Sequence, residues 1–309
     1  MPVLITPALL ASLRHSANKA MWSEWNRAHP AGSHIDEVSC IYNLIGRALP
    51  KVQTGWKGQL SPLGVTATLT GVVCHGRPYV RYPGAVKSCE LGDFLLVHDH
   101  RPVPAVLERR AAIIQAKVFG VTGVTSKNPI QLGLYQKWPR FTYTDWPGGV
   151  AVLKSVLAAK AGITDAASGA LEREMAITLP MGTTASSAQI DLGCRYGMID
   201  THRSPWGDPR LSMNPWRLCS PNVPNVYAHR WGLSLGSYLT RLIMGKVGRV
   251  VPYPQWPTGL ANACHWSLMV EELLSLLPAS QATGASVGTP PDGGGFAVIL
   301  VTTNGGGAG

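Results

Sequence analysis

The chain has 309 residues, enough for one large domain or two modest ones with a substantial core, so a solitary small module is excluded. Lysine and arginine total 27 against 17 acids, a formal charge of +10 with a pI of about 9.5, and this favours a polyanionic partner, nucleic acid ahead of anionic lipid. The six cysteines, at 40, 74, 89, 194, 219 and 264, form no CxxC pair, and no apolar run approaches membrane-spanning length, which argues against a disulfide framework and a membrane span.

The opening MPVLITPALLASLRH has no basic region ahead of its apolar part, so the expected location is cytoplasmic, with reduced and mostly buried thiols. Residues 1–28 contain a predicted helix, PALLASLRHSANKAMWSEWNRA, which Pro30 and Gly32 break. A second helix is expected in SHIDEVSCIYNLIGRAL, where Ile35, Val38, Ile41, Ile45, Ala48 and Leu49 recur at helical spacing, with Ser33 as N-cap and Pro50 as the stop.

From 51 to 85 the pattern turns β-like and rich in loops, and two apolar runs follow, ELGDFLLVHDH at 90–100 and AAIIQAKV at 111–118. Residues 128–138, NPIQLGLYQKW, predict a short helix capped by Asn128, with Pro129 in its first turn and Pro139 as its stop. Beyond it the sequence predicts helices at 149–161, 232–246 and 266–277, strands near 173–179 and 294–302, and a disordered tail over 304–309. No internal repeat is evident.

The two apolar runs carry polar residues that buried strands usually lack. Both alternating faces of CELGDFLLVH are apolar, as in a central strand covered on two sides, so Asp93 is expected to be largely buried and to need a partner. In AAIIQAKV the alternation puts Gln115 and Lys117 on one face with Ile113, about 7 Å apart. If the two strands form a hairpin, Asp93 lies opposite them. A carboxylate and an amide oxygen beside an ammonium suit a hard divalent cation that keeps waters for chemistry.

This order of residues resembles the active-site signature of the PD-(D/E)XK nuclease superfamily: an Asp, a hairpin, then Glu or Gln, any residue, Lys, here Asp93 and Gln115-Ala116-Lys117. Glu37 stands on the preceding helix where many members place a further acidic ligand, and Gln131 to Tyr135 is similar to the QxxxY motif of RecB-like members. The resemblance covers residues 33–139, about a third of the chain. It implies a restriction-endonuclease-like α/β core, a mixed central sheet flanked by helices, over 33–145. An N-terminal helical segment (1–32) would precede it, and a C-terminal α/β extension of unassigned role (146–303) would follow.

The resemblance further implies a hydrolase cutting phosphodiester bonds with Mg²⁺ or Mn²⁺, on DNA ahead of RNA, with a homodimer or a partner protein in a defence system compatible with it. Asp93, Gln115, the Ala116 carbonyl and Glu37 would hold the metal. Lys117 would stabilise charge or orient water, and Gln131 and Tyr135 would contact substrate. A neutral Gln115 stands where a glutamate is usual, so Glu37 or Glu90 would have to supply the missing charge.

The same residues admit structural accounts: a cross-strand Asp93–Lys117 ion pair, Asp36 and Glu37 as first-turn acids of a helix, and Tyr135 as a core aromatic. A non-catalytic nucleic-acid binder is the main alternative, since RPYVRYPGAVK and KWPRFTY interleave basic and aromatic residues. GLSLG at 232–236 matches a nucleophile elbow, but no acid lies between Ser234 and His265 to complete a triad. His98, Asp99 and His100, near Cys74, His75 and Cys89, fit no zinc spacing and read as surface or turn residues at a strand end.

Overall fold

A computed structural model of the chain describes residues 5–28, 35–101, 108–120, 123–124, 127–161, 172–173, 193–200, 215–223, 226, 232–252, 265–277 and 295–305. Helices α1 (Pro7–Ala28), α2 (Glu37–Asn43) and α3 (Leu49–Leu60) lead into strands β1 (Thr66–His75), β2 (Tyr79–Arg81), β3 (Cys89–Glu90), β4 (Phe94–Arg101) and β5 (Glu108–Gly120). β6 (Gly123–Val124), α4 (Pro129–Lys137), β7 (Phe141–Asp145), α5 (Val150–Ala161), β8 (Glu172–Arg173), β9 (Cys194–Asp200) and β10 (Trp216–Cys219) come next. The remainder is β11 (Leu233–Ser234), α6 (Leu235–Ile243), β12 (Arg249–Val251), α7 (His265–Leu274) and β13 (Gly295–Asn304).

The protein is α/β with a mixed central sheet flanked by helices. Among the described residues the main sheet runs β1-β13-β4-β5-β9-β10-β11, with β6 and β12 also paired to β5. β13 is parallel to β4 and β9 parallel to β5, while β4 and β5 are antiparallel. A second sheet, β3-β2-β7-β8, lies apart from this one. The hairpin expected of the two apolar runs is therefore present, in the register Phe94↔Ile114 to His100↔Glu108.

Period-two alternation divides the apolar residues between the two faces of the main sheet. Phe94, Leu96, Ala112, Ile114, Ala297 and Ile299 join the side chains of α1, α2, α3 and α6 in one core. Leu95, Val97, Ile113, Tyr196 and Val298 join α4, α7 and the second sheet in the other. Trp56 of α3, fully buried, also donates its indole N–H to the Leu13 carbonyl of α1 at 3.0 Å, which fixes the two helices against each other.

Several expectations change. Pro50 does not stop the second helix. The chain passes through a π-helical turn, Leu44–Ala48, in which the Leu49 N–H bonds the Leu44 carbonyl five residues back, and Pro50 falls in the first turn of α3. The widened turn takes up the clash and the missing N–H that a proline brings to an ordinary helix. Residues 51–60 are thus helical where strands or loops were expected.

Asp36, in extended conformation, caps α2 by accepting from Ser39 N at 2.7 Å, while the expected cap Ser33 lies outside the described residues. The run at 90–100 is divided as well: Glu90 ends β3 in the second sheet, and β4 starts only at Phe94. Of the strand expected near 173–179 only Glu172–Arg173 falls within the described residues. Most of the expected tail at 304–309 lies outside them, and its first residue, Asn304, ends β13.

No division of the sheet falls at residue 145. β13 and β9, from the C-terminal part, flank the β4–β5 pair as sheet neighbours, and α1 contributes Leu13, Ala17, Met21 and Trp25 to the same core as Phe94. Burying this apolar surface is the main drive for folding, so these segments are part of the core rather than additions to it. No described helix is long and apolar enough to cross a membrane.

Candidate active site

β4 pairs with β5 only as far as Ile114; from Gln115 to Phe119 the strand keeps β9, and β6 joins it at Phe119, so among the described residues the stretch 115–118 has a strand partner on one edge alone. Backbone N–H groups freed there need other acceptors, and two carboxylates supply them. Ala116 N donates to Asp93 Oδ2 at 2.7 Å, and Val118 N to Glu37 Oε1 at 3.3 Å. The candidate site is this frayed corner of the sheet.

Asp93 is pinned on both sides: its N–H bonds the Ile114 carbonyl and its carbonyl accepts from Ala297 N, each at 2.9 Å. Gly92 makes the close approach possible, since a Cβ there would stand 2.4 Å from Ile113 Cγ2 and 3.0 Å from the Tyr135 hydroxyl. Only 1% of Asp93 is exposed.

The Gln115 amide nitrogen donates to Asp93 Oδ2, and the Gln131 amide nitrogen donates to Gln115 Oε1. Gln131 also donates to the Glu90 carbonyl at 2.8 Å, and Tyr135 donates to the Leu91 carbonyl at 2.7 Å. α4 presents both side chains because Asn128 caps it, accepting from Gln131 N at 3.2 Å, and because a spacing of four residues keeps Gln131 and Tyr135 on one face.

Lys117 lies 3.5 Å from Glu37 Oε1, reaching around the end of the sheet to α2. The cross-strand ion pair with Asp93 is thus replaced by one with Glu37, and the cap of α2 is Asp36 rather than Glu37. Glu90 carries a charge partner that the sequence did not reveal: Arg77, in the β1–β2 connection, places Nη1 2.5 Å from Glu90 Oε1 and 3.7 Å from Asp93 Oδ1. Tyr79 adds a hydrogen bond to Glu90 at 3.3 Å.

Burial pushes the Asp93 carboxyl up from 3.8 to about 7. Lys117 and Arg77 draw it down, while Glu90 and Glu37 push it further up. Tyr135, wholly buried, is held well above the ordinary phenol range by the same loss of solvent.

These groups suit a hard divalent cation. Glu90 and Glu37 both push the Asp93 carboxyl up, a repulsion that a cation would relieve. Among the described residues no three His, Cys, Asp or Glu side chains converge closely enough to hold a metal by themselves. An amide oxygen and a backbone carbonyl would have to complete the set, and Mg²⁺ needs few protein ligands. The Ala116 carbonyl lies 3.4 Å from the Gln115 amide nitrogen. Gln115 turns its donor toward Asp93, so offering its oxygen there takes a half-turn of the amide.

The structure brings together Asp93, Gln115, Ala116, Lys117 and Glu37. Gln131 and Tyr135 stand behind them, buried, with their polar atoms used on Gln115 and on the 90–91 backbone. The expected substrate contact therefore becomes a supporting one, because neither side chain reaches the surface. Arg77 and Gly92 were missed. Their signals were an Arg in a basic–aromatic stretch and a glycine inside an apolar run, and neither identifies its spatial partner.

The rival constellations resolve structurally. Ser234 caps α6, accepting from Ser237 N at 3.2 Å, as a helix cap and not a nucleophile. His98 and His100 are buried in β4 rather than at the surface, sharing the Thr303 hydroxyl at 2.8 Å each. Asp99 binds Arg109 through two bonds of 2.6 and 2.8 Å. In KWPRFTY the aromatics Trp138, Phe141 and Tyr143 are buried, leaving Lys137 and Arg140 at the surface.

No protein-family model, no curated protein and no solved structure matches this chain.

Proposed function

We propose that the protein is a metal-dependent nuclease of the PD-(D/E)XK type, with a restriction-endonuclease-like core, hydrolysing phosphodiester bonds in DNA ahead of RNA, in keeping with defence against foreign DNA. The observation that carries this reading is the meeting of Asp93, Gln115, Lys117 and Glu37 where β4 stops pairing with β5. Two carboxylates, an amide and an ammonium gather there while β9 still pairs β5 along its other edge.

Asp93, Gln115 through its oxygen, the Ala116 carbonyl and Glu37 would hold Mg²⁺ or Mn²⁺. The ion when bound supplies Lewis-acid polarisation of the phosphoryl oxygen and an acidified water. Lys117 keeps a positive charge at the same corner, where it offsets the negative charge that grows on the phosphoryl oxygens in the transition state. Asp93, at about 7, is half ionised near neutrality and takes its ligating form as the pH rises. Gln131 holds the Gln115 oxygen away from Asp93, so the half-turn that offers this oxygen to the metal breaks that bond, while Tyr135 holds the 90–91 backbone that leads into Asp93. The net charge of +10 suits a phosphate backbone.

A second reading, a non-catalytic nucleic-acid-binding protein with a degenerate nuclease fold, is favoured by one observation: Gln115 donates to Asp93, an arrangement that satisfies the carboxylate without a metal. Incubation with plasmid, linear and single-stranded DNA and with RNA, in Mg²⁺ or Mn²⁺, separates the two. Cutting that stops on chelation supports the nuclease; binding with no cutting of any substrate supports the degenerate form.

A further inference from the structure

Arg77 occupies the place between two acids of the candidate site that a cation would fill. One nitrogen, Nη1, makes both contacts, 2.5 Å to Glu90 Oε1 and 3.7 Å to Asp93 Oδ1. The strongest arginine–carboxylate geometry is the planar fork, two parallel N–H bonds to one carboxylate, as Arg109 makes on Asp99. Arg77 does not, and its buried Nε has no hydrogen-bond partner among the described residues. A buried donor left unmet is unfavourable. The guanidinium is held by one charge-assisted hydrogen bond to Glu90 and by the charge of Asp93.

Its backbone surroundings are fixed, and its side chain keeps a route to solvent. The Gly76 carbonyl accepts from Phe296 N of β13, and the Pro78 carbonyl accepts from Leu91 N, each at 2.9 Å, so the residues on either side of Arg77 are anchored. The side chain keeps 17% of its surface exposed, a path toward solvent that Asp93, at 1%, lacks. Lys117 pairs with Glu37 and also acts on Asp93 through space, while Arg77 is, among the described residues, the cation in ion-pair contact with both Glu90 and Asp93.

Building on the metal-site reading above, we propose that Arg77 is a displaceable counter-cation: it neutralises Glu90 and Asp93 in the metal-free protein and competes with the divalent ion for Asp93. The loading of the site is then set by an exchange of one cation for another. The two acids stay paired when no metal is present, and metal affinity is held below what the oxygen ligands alone would give.

The test is Mn²⁺ binding to the whole chain by isothermal titration calorimetry at about pH 8, where Asp93 is ionised. Wild type, Arg77→Gln, Arg77→Met, Asp93→Asn and the surface control Lys87→Gln are compared, each checked for folding by near-ultraviolet circular dichroism. Removing the competitor is expected to tighten Mn²⁺ binding about tenfold in whichever Arg77 variant folds, while Lys87→Gln stays within about twofold and Asp93→Asn abolishes binding. Wild-type binding lost in Asp93→Asn but unchanged or weakened in the Arg77 variants overturns the competition and leaves the metal site standing. An equal gain in Lys87→Gln also overturns it, because bulk charge then suffices. Absence of binding in wild type and Arg77 variants alike overturns both the competition and the metal-site reading.

Discussion

Gln115 donates its amide proton to Asp93 Oδ2, the same oxygen that accepts from Ala116 N. A neutral side chain here stabilises a carboxylate that would otherwise face another acid in the metal-free protein. Gln115→Glu sets two carboxylates in contact, which is costly until a cation lies between them. The variant is expected to bind Mn²⁺ about tenfold more tightly than wild type by calorimetry, and to melt at lower temperature without metal at alkaline pH.

Asp93 also makes stability depend on pH. Its carboxyl titrates near 7 in the fold against 3.8 as an ordinary acid, so the folded state holds the proton more tightly than the unfolded chain. That contribution is complete below about pH 4 and is lost as the pH rises to about 7, a loss of roughly 4 kcal/mol. Asp93→Asn removes the slope, and metal-free urea melts at about pH 8 are expected to show the variant at least as stable as wild type.

His98 works in the opposite sense. Burial first, then His100 and Arg110, bring its pKa down from 6.5 to about 3. The unfolded chain binds the proton more readily, so stability present above pH 6.5 is lost as the pH falls toward 3, by roughly 5 kcal/mol. His98→Gln can keep a bond to Thr303 without the titration, and acid melts are expected to show its midpoint moved to lower pH.

Gln131 and Tyr135 act through Gln115 and the 90–91 backbone. Gln131→Ala leaves the Gln115 oxygen and the Glu90 carbonyl without this donor and is expected to cost about 1–3 kcal/mol in urea unfolding; Tyr135→Phe is expected to cost about 1 kcal/mol. Both variants should bind DNA as wild type does in a fluorescence-anisotropy titration, since neither side chain reaches the surface.

Much of this site was legible because its logic is local. Alternation alone placed Gln115 and Lys117 on one face of β5, and an apolar run interrupted by Asp93 announced a buried acid that needs partners. Asn128 and Pro129 marked the start of α4 for the same reason, since capping is decided within four residues. Long-range pairing was not legible. Nothing near 300 indicates that β13 inserts between β1 and β4, nothing near Arg77 names Glu90, and the π-helical turn that lets Pro50 enter a helix depends on packing against α1 and β1 rather than on residue type. The boundary at 145, drawn from the resemblance, follows the order of motifs along the chain, while β9 and β13 from beyond it join the same sheet.

The central claim is tested most directly by Lys117→Met, which keeps the buried stem of the side chain and removes its charge. Cleavage of plasmid and linear DNA in Mg²⁺ or Mn²⁺ would be measured beside equilibrium DNA binding for variant and parent. The account predicts that the parent cuts and that the variant loses at least about a hundredfold in rate while DNA affinity changes by less than about threefold. Equal cutting by both proteins, or a parent that binds DNA and cuts nothing with either metal, would contradict it.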